Sequence, residues 1–228
     1  MLIKKAKGKK QVAFYLGILL LLGCSEDARD QMGQPEMESD INSAAQEEKV
    51  AIPDMAFEQA LIDLNYDAVI DGEVTKSQID FVTELSIDSK GISDLTGISG
   101  FEALKNLNIR DNNLERIDLS QNSQLLFIWA KDNQLEEIDI SGLSALEKFE
   151  IDRNVLKQIN IGTNSALQLL TLSNNQLNDI DVSSNTALAN FTVVDNPLNC
   201  ILVNQTQFNA IPPNWSKDEA DRYSMDCD

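Results

Sequence analysis

Leu104-Lys105-Asn106-Leu107-Asn108-Ile109-Arg110-Asp111-Asn112-Asn113-Leu114 decides how this chain folds. Leu107 and Ile109 alternate with Asn106, Asn108 and Arg110, the period-two pattern of a short strand with one buried face. Leu104 and Leu114 flank that strand, and Asn112 stands at position nine. The pattern LxxLxLxxNxL returns from Leu125 (Ile128, Ala130, Asn133, Leu135), Leu146 (Phe149, Ile151, Asn154, Leu156), Leu167 (Leu170, Leu172, Asn175, Leu177) and Leu188 (Phe191, Val193, Asn196, Leu198). Its starts fall at positions 104, 125, 146, 167 and 188, a constant period without a slip. A looser and slightly longer copy begins at Val82 (Leu85, Ile87, Ile92), with Lys90 in the asparagine place, so six copies span 82–208.

One such copy cannot bury its apolar face alone, whereas stacked copies form a continuous core. Six parallel strands at about 4.8 Å spacing predict a sheet roughly 29 Å long. Asn112, Asn133, Asn154, Asn175 and Asn196 are expected to form a ladder that satisfies turn backbone groups inside the coil. The copies also share a second element: Ile117-Asp118-Leu119, Ile138-Asp139-Ile140, Ile159-Asn160-Ile161 and Ile180-Asp181-Val182. Over more than half of its length the chain resembles the leucine-rich-repeat family, and is most similar to the short bacterial repeats of this period that bear the same Ile-Asp-Val/Leu-Ser element. The resemblance implies a repeat solenoid with a parallel β-sheet on its concave face. A period this short leaves no room for a long convex helix, so the outer side is expected to be irregular or 3-10-like.

A solenoid exposes its core at both ends unless capped. Upstream, residues 51–81 read as an N-terminal cap. Asp54 can cap a helix over about 54–64 in which Phe57, Ala60, Leu61 and Leu64 share a face, and Asn65 is a left-handed stop. Downstream, residues 209–228 read as a C-terminal cap containing Pro212-Pro213 and Trp215. Cys200 and Cys227 are expected to close a disulfide across it, which an exported protein permits. The rival reading, a catalytic thiol, lacks a histidine partner anywhere in the chain.

Residues 1–23 read as a signal peptide. Lys4, Lys5, Lys7, Lys9 and Lys10 precede an apolar stretch from Val12 to Leu22, too short for a membrane span of about 20 residues. Leu21-Leu22-Gly23-Cys24 resembles the lipobox of bacterial lipoproteins, which implies cleavage before Cys24 and lipidation of that cysteine. Ser25-Glu26-Asp27 is similar to signals that send lipoproteins to the outer leaflet in some gram-negative bacteria. Residues 24–50 hold eight acids and no aromatic, a composition expected to form a disordered tether. Together these features resemble a bacterial leucine-rich-repeat lipoprotein, anchored to the outer membrane by lipid alone and exposed at the cell surface.

Charge and composition exclude much else. The formal net charge is −19, and beyond Cys24 the chain carries 13 basic and 37 acidic residues, or −24. Phosphate backbones repel such a body, so no nucleic-acid partner is expected. Phosphate loops, nucleophile elbows and cofactor fingerprints are absent from the sequence, which reads as no enzyme and no cofactor. Asp63, Asn65, Asp67 and Asp71 follow the start of a calcium loop, but Ala68 replaces its glycine and Val74 its bidentate acid. A polar turn is the expectation there, and no metal site.

The register points positions three, five and seven of each copy outward from the sheet. Most of these residues are small or polar. Phe127 and Trp129 stand out, with Arg110, Lys131, Lys148 and Glu150 on the same or neighbouring strands. Trp and Arg dominate binding hot spots, so this basic-aromatic patch is the expected recognition surface. The first partner it suits is a protein segment with acidic residues, and the second a glycan stacking on Trp129. The competing reading packs the two rings against each other without a ligand. At the level of function, a protein-binding surface module therefore stands beside a carbohydrate-capture lipoprotein and a structural envelope component. The oligomeric state stays open.

Overall fold

A computed structural model describes residues 47–227 of the chain. The expected signal peptide, the expected lipidation at Cys24 and the expected 24–50 tether up to residue 46 lie outside the described residues.

Strand β1 (Lys49–Ala51) precedes helix α1 (Met55–Asp63) and strand β2 (Glu73–Thr75). β1 and β2 pair antiparallel, with Val50 opposite Val74. The disordered tether expected over 24–50 overlaps this strand at Lys49 and Val50, where the chain is ordered and Val50 packs against the core. The fit is close: a Cβ on Gly97, whose φ is +102°, would lie 2.5 Å from the Ala51 carbonyl, and one on Gly100 would lie 2.9 Å from Val50. Glycine is the residue that permits such an approach.

Asp54 joins the helix to the first coil. Its Oδ1 accepts from the N–H groups of Ala56 (2.8 Å) and Phe57 (2.9 Å), capping α1. Its Oδ2 accepts from the Ser93 N–H and hydroxyl (both 2.9 Å) and from the Asp94 N–H (3.0 Å). Phe57, Ala60 and Leu61 are buried as the helical spacing requires. Leu64 is not: it follows the last helical residue and is 39% exposed. Asn65 takes the left-handed conformation at φ 63°.

Next come β3 (Glu84–Ser86), β4 (Asn106–Asn108), β5 (Phe127–Trp129), β6 (Lys148–Glu150) and β7 (Leu169–Thr171). The chain continues through β8 (Asp179–Asp181), β9 (Asn190–Thr192), β10 (Cys200–Leu202), helix α2 (Gln205–Asn209), β11 (Asn214–Ser216) and β12 (Tyr223–Ser224). β3, β4, β5, β6, β7, β9 and β11 form one seven-stranded sheet whose paired strands are all parallel. Its register aligns Leu85, Leu107, Ile128, Phe149, Leu170, Phe191 and Trp215, all buried. The solenoid is thus one coil longer than the six repeats legible in the sequence. Trp215 supplies the last layer: its ring meets Phe191 edge-on at 5.2 Å, and its indole N–H donates to the Leu188 carbonyl at 3.0 Å.

On the opposite side, β8, β10 and β12 make a second, three-stranded parallel sheet, and Asp118 bridges to Asp139. The carboxylates of Asp118, Asp139 and Asp181 accept from the N–H groups of Ser120, Ser141 and Ser183, and Asn160 does the same for Gly162. These turns explain the repeated Ile-Asp-x-Ser element. The disulfide between Cys200 and Cys227, 27 residues apart, ties the tail to this side at the last coil.

Two stacks of asparagine run through the interior. In the first, each side-chain N–H donates to carbonyls of its own and the preceding coil, as Asn154 does to Ile151 and Ala130 (both 3.0 Å). Each side-chain oxygen accepts from the preceding coil: Asn112 from Ile92, Asn133 from Leu114, Asn154 from Leu135, Asn175 from Leu156, Asn196 from Leu177. The residue before each of these asparagines is left-handed, with φ of 54, 58, 53, 57 and 57° at Asp111, Asp132, Arg153, Asn174 and Asp195. Asp and Asn tolerate that region; Arg153 breaks the preference and pairs with Asp132 on the adjoining coil.

The second stack lies outside the sequence expectation. Asn122, Asn164 and Asn185 are fully buried and donate to carbonyls one coil back. Gln207 of α2 continues it with bonds to the Val182 and Asn185 carbonyls. Leu143 occupies the same place between Asn122 and Asn164 and interrupts it. An asparagine three positions before a repeat's opening leucine was the available signal.

Candidate functional site

The outward residues of β4, β5 and β6 meet on the open face of the large sheet. Phe127 and Trp129 flank the buried Ile128 on β5 and are themselves half-buried. Their ring centroids lie 5.9 Å apart with the planes tilted by 56°. The Arg110 guanidinium sits 5.7 Å from the centre of the Trp129 ring, and the Lys148 ammonium 4.9 Å from that of Phe127. Both contacts are within the range of cation–π attraction.

The structure departs from the expected basic cluster in its charge. Arg110 crosses over β5 and donates to Glu150 on β6 at 2.7 Å. Lys131 lies between two carboxylates, 3.0 Å from Glu150 and 2.9 Å from Asp152. Asp152 is buried and also accepts from the Thr171 hydroxyl (2.6 Å) and the Ser173 N–H (2.8 Å). Burial works to lower the pKa of Lys131, but the hydrogen bonds and charges of Asp152 and Glu150 outweigh it and raise it, keeping the ammonium charged. Arg110 and Lys131 are therefore neutralised within the patch, and the side of Trp129 under Arg110 is occupied. Glu150 is the hub rather than a bystander: it takes one bond from Arg110 and one from Lys131.

The acidic residues near the cap helix separate into two groups. Asp63 pairs with Lys90 at 3.0 Å and accepts from Gln59, and Asn65 ends the helix. Asp67 and Asp71 instead approach Glu58, with carboxylate oxygens of the three within 4.8 Å of one another. Glu58, 1% exposed, accepts from the Asp71 (2.8 Å) and Gly72 (2.7 Å) N–H groups and so fastens the loop to the helix. The sequence spacing did not single out Glu58. Among the described residues no helix is long and apolar enough to cross a membrane.

The geometry is that of a leucine-rich-repeat solenoid, and solved structures share it. No protein-family model matches the chain, nor does any curated protein. The functional domain of InlJ from Listeria monocytogenes superimposes with a TM-score of 0.61 at 25% identity, over 69% of this chain and 38% of that one. A leucine-rich-repeat protein of Leptospira interrogans superimposes with a TM-score of 0.52 at 15% identity, over 65% of this chain and 45% of that one. The chain thus spans under half the length of either. The Listeria domain includes a ladder of cysteines; here the ladders are of asparagine, and the chain has three cysteines in all.

Proposed function

We propose that this protein is a non-catalytic binding module that holds a protein partner on the open face of its large sheet, centred on Phe127 and Trp129. The observation that carries this reading is an open-face aromatic pair that occurs in one coil only, against mostly small or polar residues in the same places of the others. Trp and Arg are the residue types enriched among those that carry binding energy at interfaces, and here they lie together on an open face. A stacked glycan has less support, because Arg110 already covers a side of Trp129.

In the same reading the signal-like N-terminus delivers the chain to the cell surface, lipid on Cys24 holds it to the outer membrane, and the acidic segment after it supplies reach. Three experiments test the two halves. Trp129→Ala should leave the circular dichroism spectrum intact and weaken capture of the partner by about ten-fold or more; unchanged affinity overturns the site. Labelling with a radioactive fatty acid should mark the wild-type chain and not Cys24→Ala, and protease added to intact cells should remove the wild type. An unlabelled wild-type chain overturns the anchor.

A further inference from the structure

The face around the aromatic pair is electrically polar, not basic. At β3 and just beyond it, Glu84 and Asp88 are exposed on either side of Ser86. Asn106 donates to Glu84 at 3.0 Å; Asn108 (3.0 Å) and the Ser86 hydroxyl (2.9 Å) donate to Asp88. These bonds hold the carboxylates in place without neutralising them. Among the described residues neither has a Lys or Arg partner. Lys148 on β6 is the converse: exposed, packed on Phe127, and without a carboxylate partner among the described residues. The order across the sheet is therefore two oriented acids, an aromatic pair, and one uncompensated cation.

We infer that the partner contributes an extended segment of mixed charge, laid across the strands. Its Lys or Arg meets Glu84 and Asp88, its large apolar side chain seats on Phe127 and Trp129, and its Asp or Glu meets Lys148. This inference rests on the binding face proposed above. Two strand spacings separate β3 from β5, about 9.6 Å, which an extended or polyproline-like segment covers in about three residues. The acid follows one spacing further, roughly one or two residues on. A uniformly acidic segment is disfavoured, since it sets like charges against Glu84 and Asp88 while Arg110 and Lys131 are already paired.

Selection of a displayed library of random peptides on the immobilised full-length chain tests this, with Trp129→Ala as counter-selection. The expected result is Trp129-dependent enrichment of peptides with a Lys or Arg about three residues from an aromatic or large aliphatic residue. Glu84→Lys with Asp88→Lys should turn the selected basic residue acidic, and Glu84→Gln with Asp88→Asn should weaken the best peptide roughly three- to ten-fold. Trp129-dependent enrichment with no basic residue, or with an acid in its place, overturns the inference and leaves the binding face standing. Absence of any Trp129-dependent enrichment overturns the face and the inference together.

Discussion

Through the buried turns that follow the strands of the large sheet runs the first asparagine stack; on the outer face of one strand lie Phe127 and Trp129. The stack is periodic: Asn133, Asn154 and Asn175 each make the same bonds to the same places of the preceding coil. The patch is aperiodic, and its main bridge, Arg110 to Glu150, skips a strand. Stacking lets one residue type solve one problem repeatedly, the unpaired backbone of a buried turn. A feature that stacking does not require, and that occurs once, has to be explained by something other than the fold. Substitutions in the stack should therefore cost stability, and substitutions in the patch should cost binding.

The sharpest trial of that division is Asn154→Ala, which leaves the buried Leu135 N–H without its acceptor and removes a donor from the Ala130 carbonyl. A loss of about 3 kcal/mol in a urea unfolding curve is expected. Breaking the Cys200–Cys227 bond by replacing both residues with serine should cost about 2–4 kcal/mol, because the link constrains a 27-residue separation in the unfolded chain. It should loosen the last coil first, which hydrogen exchange at β10 and β12 would register.

Asp54→Ala comes next, at about 2 kcal/mol, since both carboxylate oxygens are engaged. This effect depends on pH. Burial opposes the Asp54 charge, but the Ser93, Phe57 and Asp94 N–H donors and the Ser93 hydroxyl outweigh it and hold the pKa below the ordinary 3.8. A depressed folded-state pKa stabilises above the unfolded value and loses that contribution as pH falls through the folded value. The gap between wild type and Asp54→Ala should be full at neutral pH and shrink below about pH 4.

The smallest stability change is expected from Arg110→Ala, under about 1 kcal/mol, because its pair with Glu150 is partly solvated. Partner affinity should change more than the unfolding midpoint does. An Arg110→Ala variant as unstable as Asn154→Ala would erase the distinction and make the patch a structural brace.

The repeats were legible because each coil presents the same environment to the same position, so Leu107 and Ile128 announce one another one period apart. β11 was not, since Trp215 follows Phe191 at a longer interval, after two prolines and with no position-nine asparagine. Phe127 and Trp129 could be placed on the outer face by parity alone. Their electrostatic surroundings could not: Arg110 and Glu150 are 40 residues apart, and nothing local says that one side chain will span the strand between them.

What the sequence determined by itself is the solenoid: strand parity, the coil length, the first asparagine ladder and the positions that face outward. All of these follow from short-range periodicity, which a linear reading captures. Tertiary structure alone decided the seventh coil, the second asparagine stack's completion by Gln207, the double grip of Asp54, and the neutralisation of Arg110 and Lys131. Each of those depends on side chains from distant coils arriving within bonding distance, a matter of three-dimensional register.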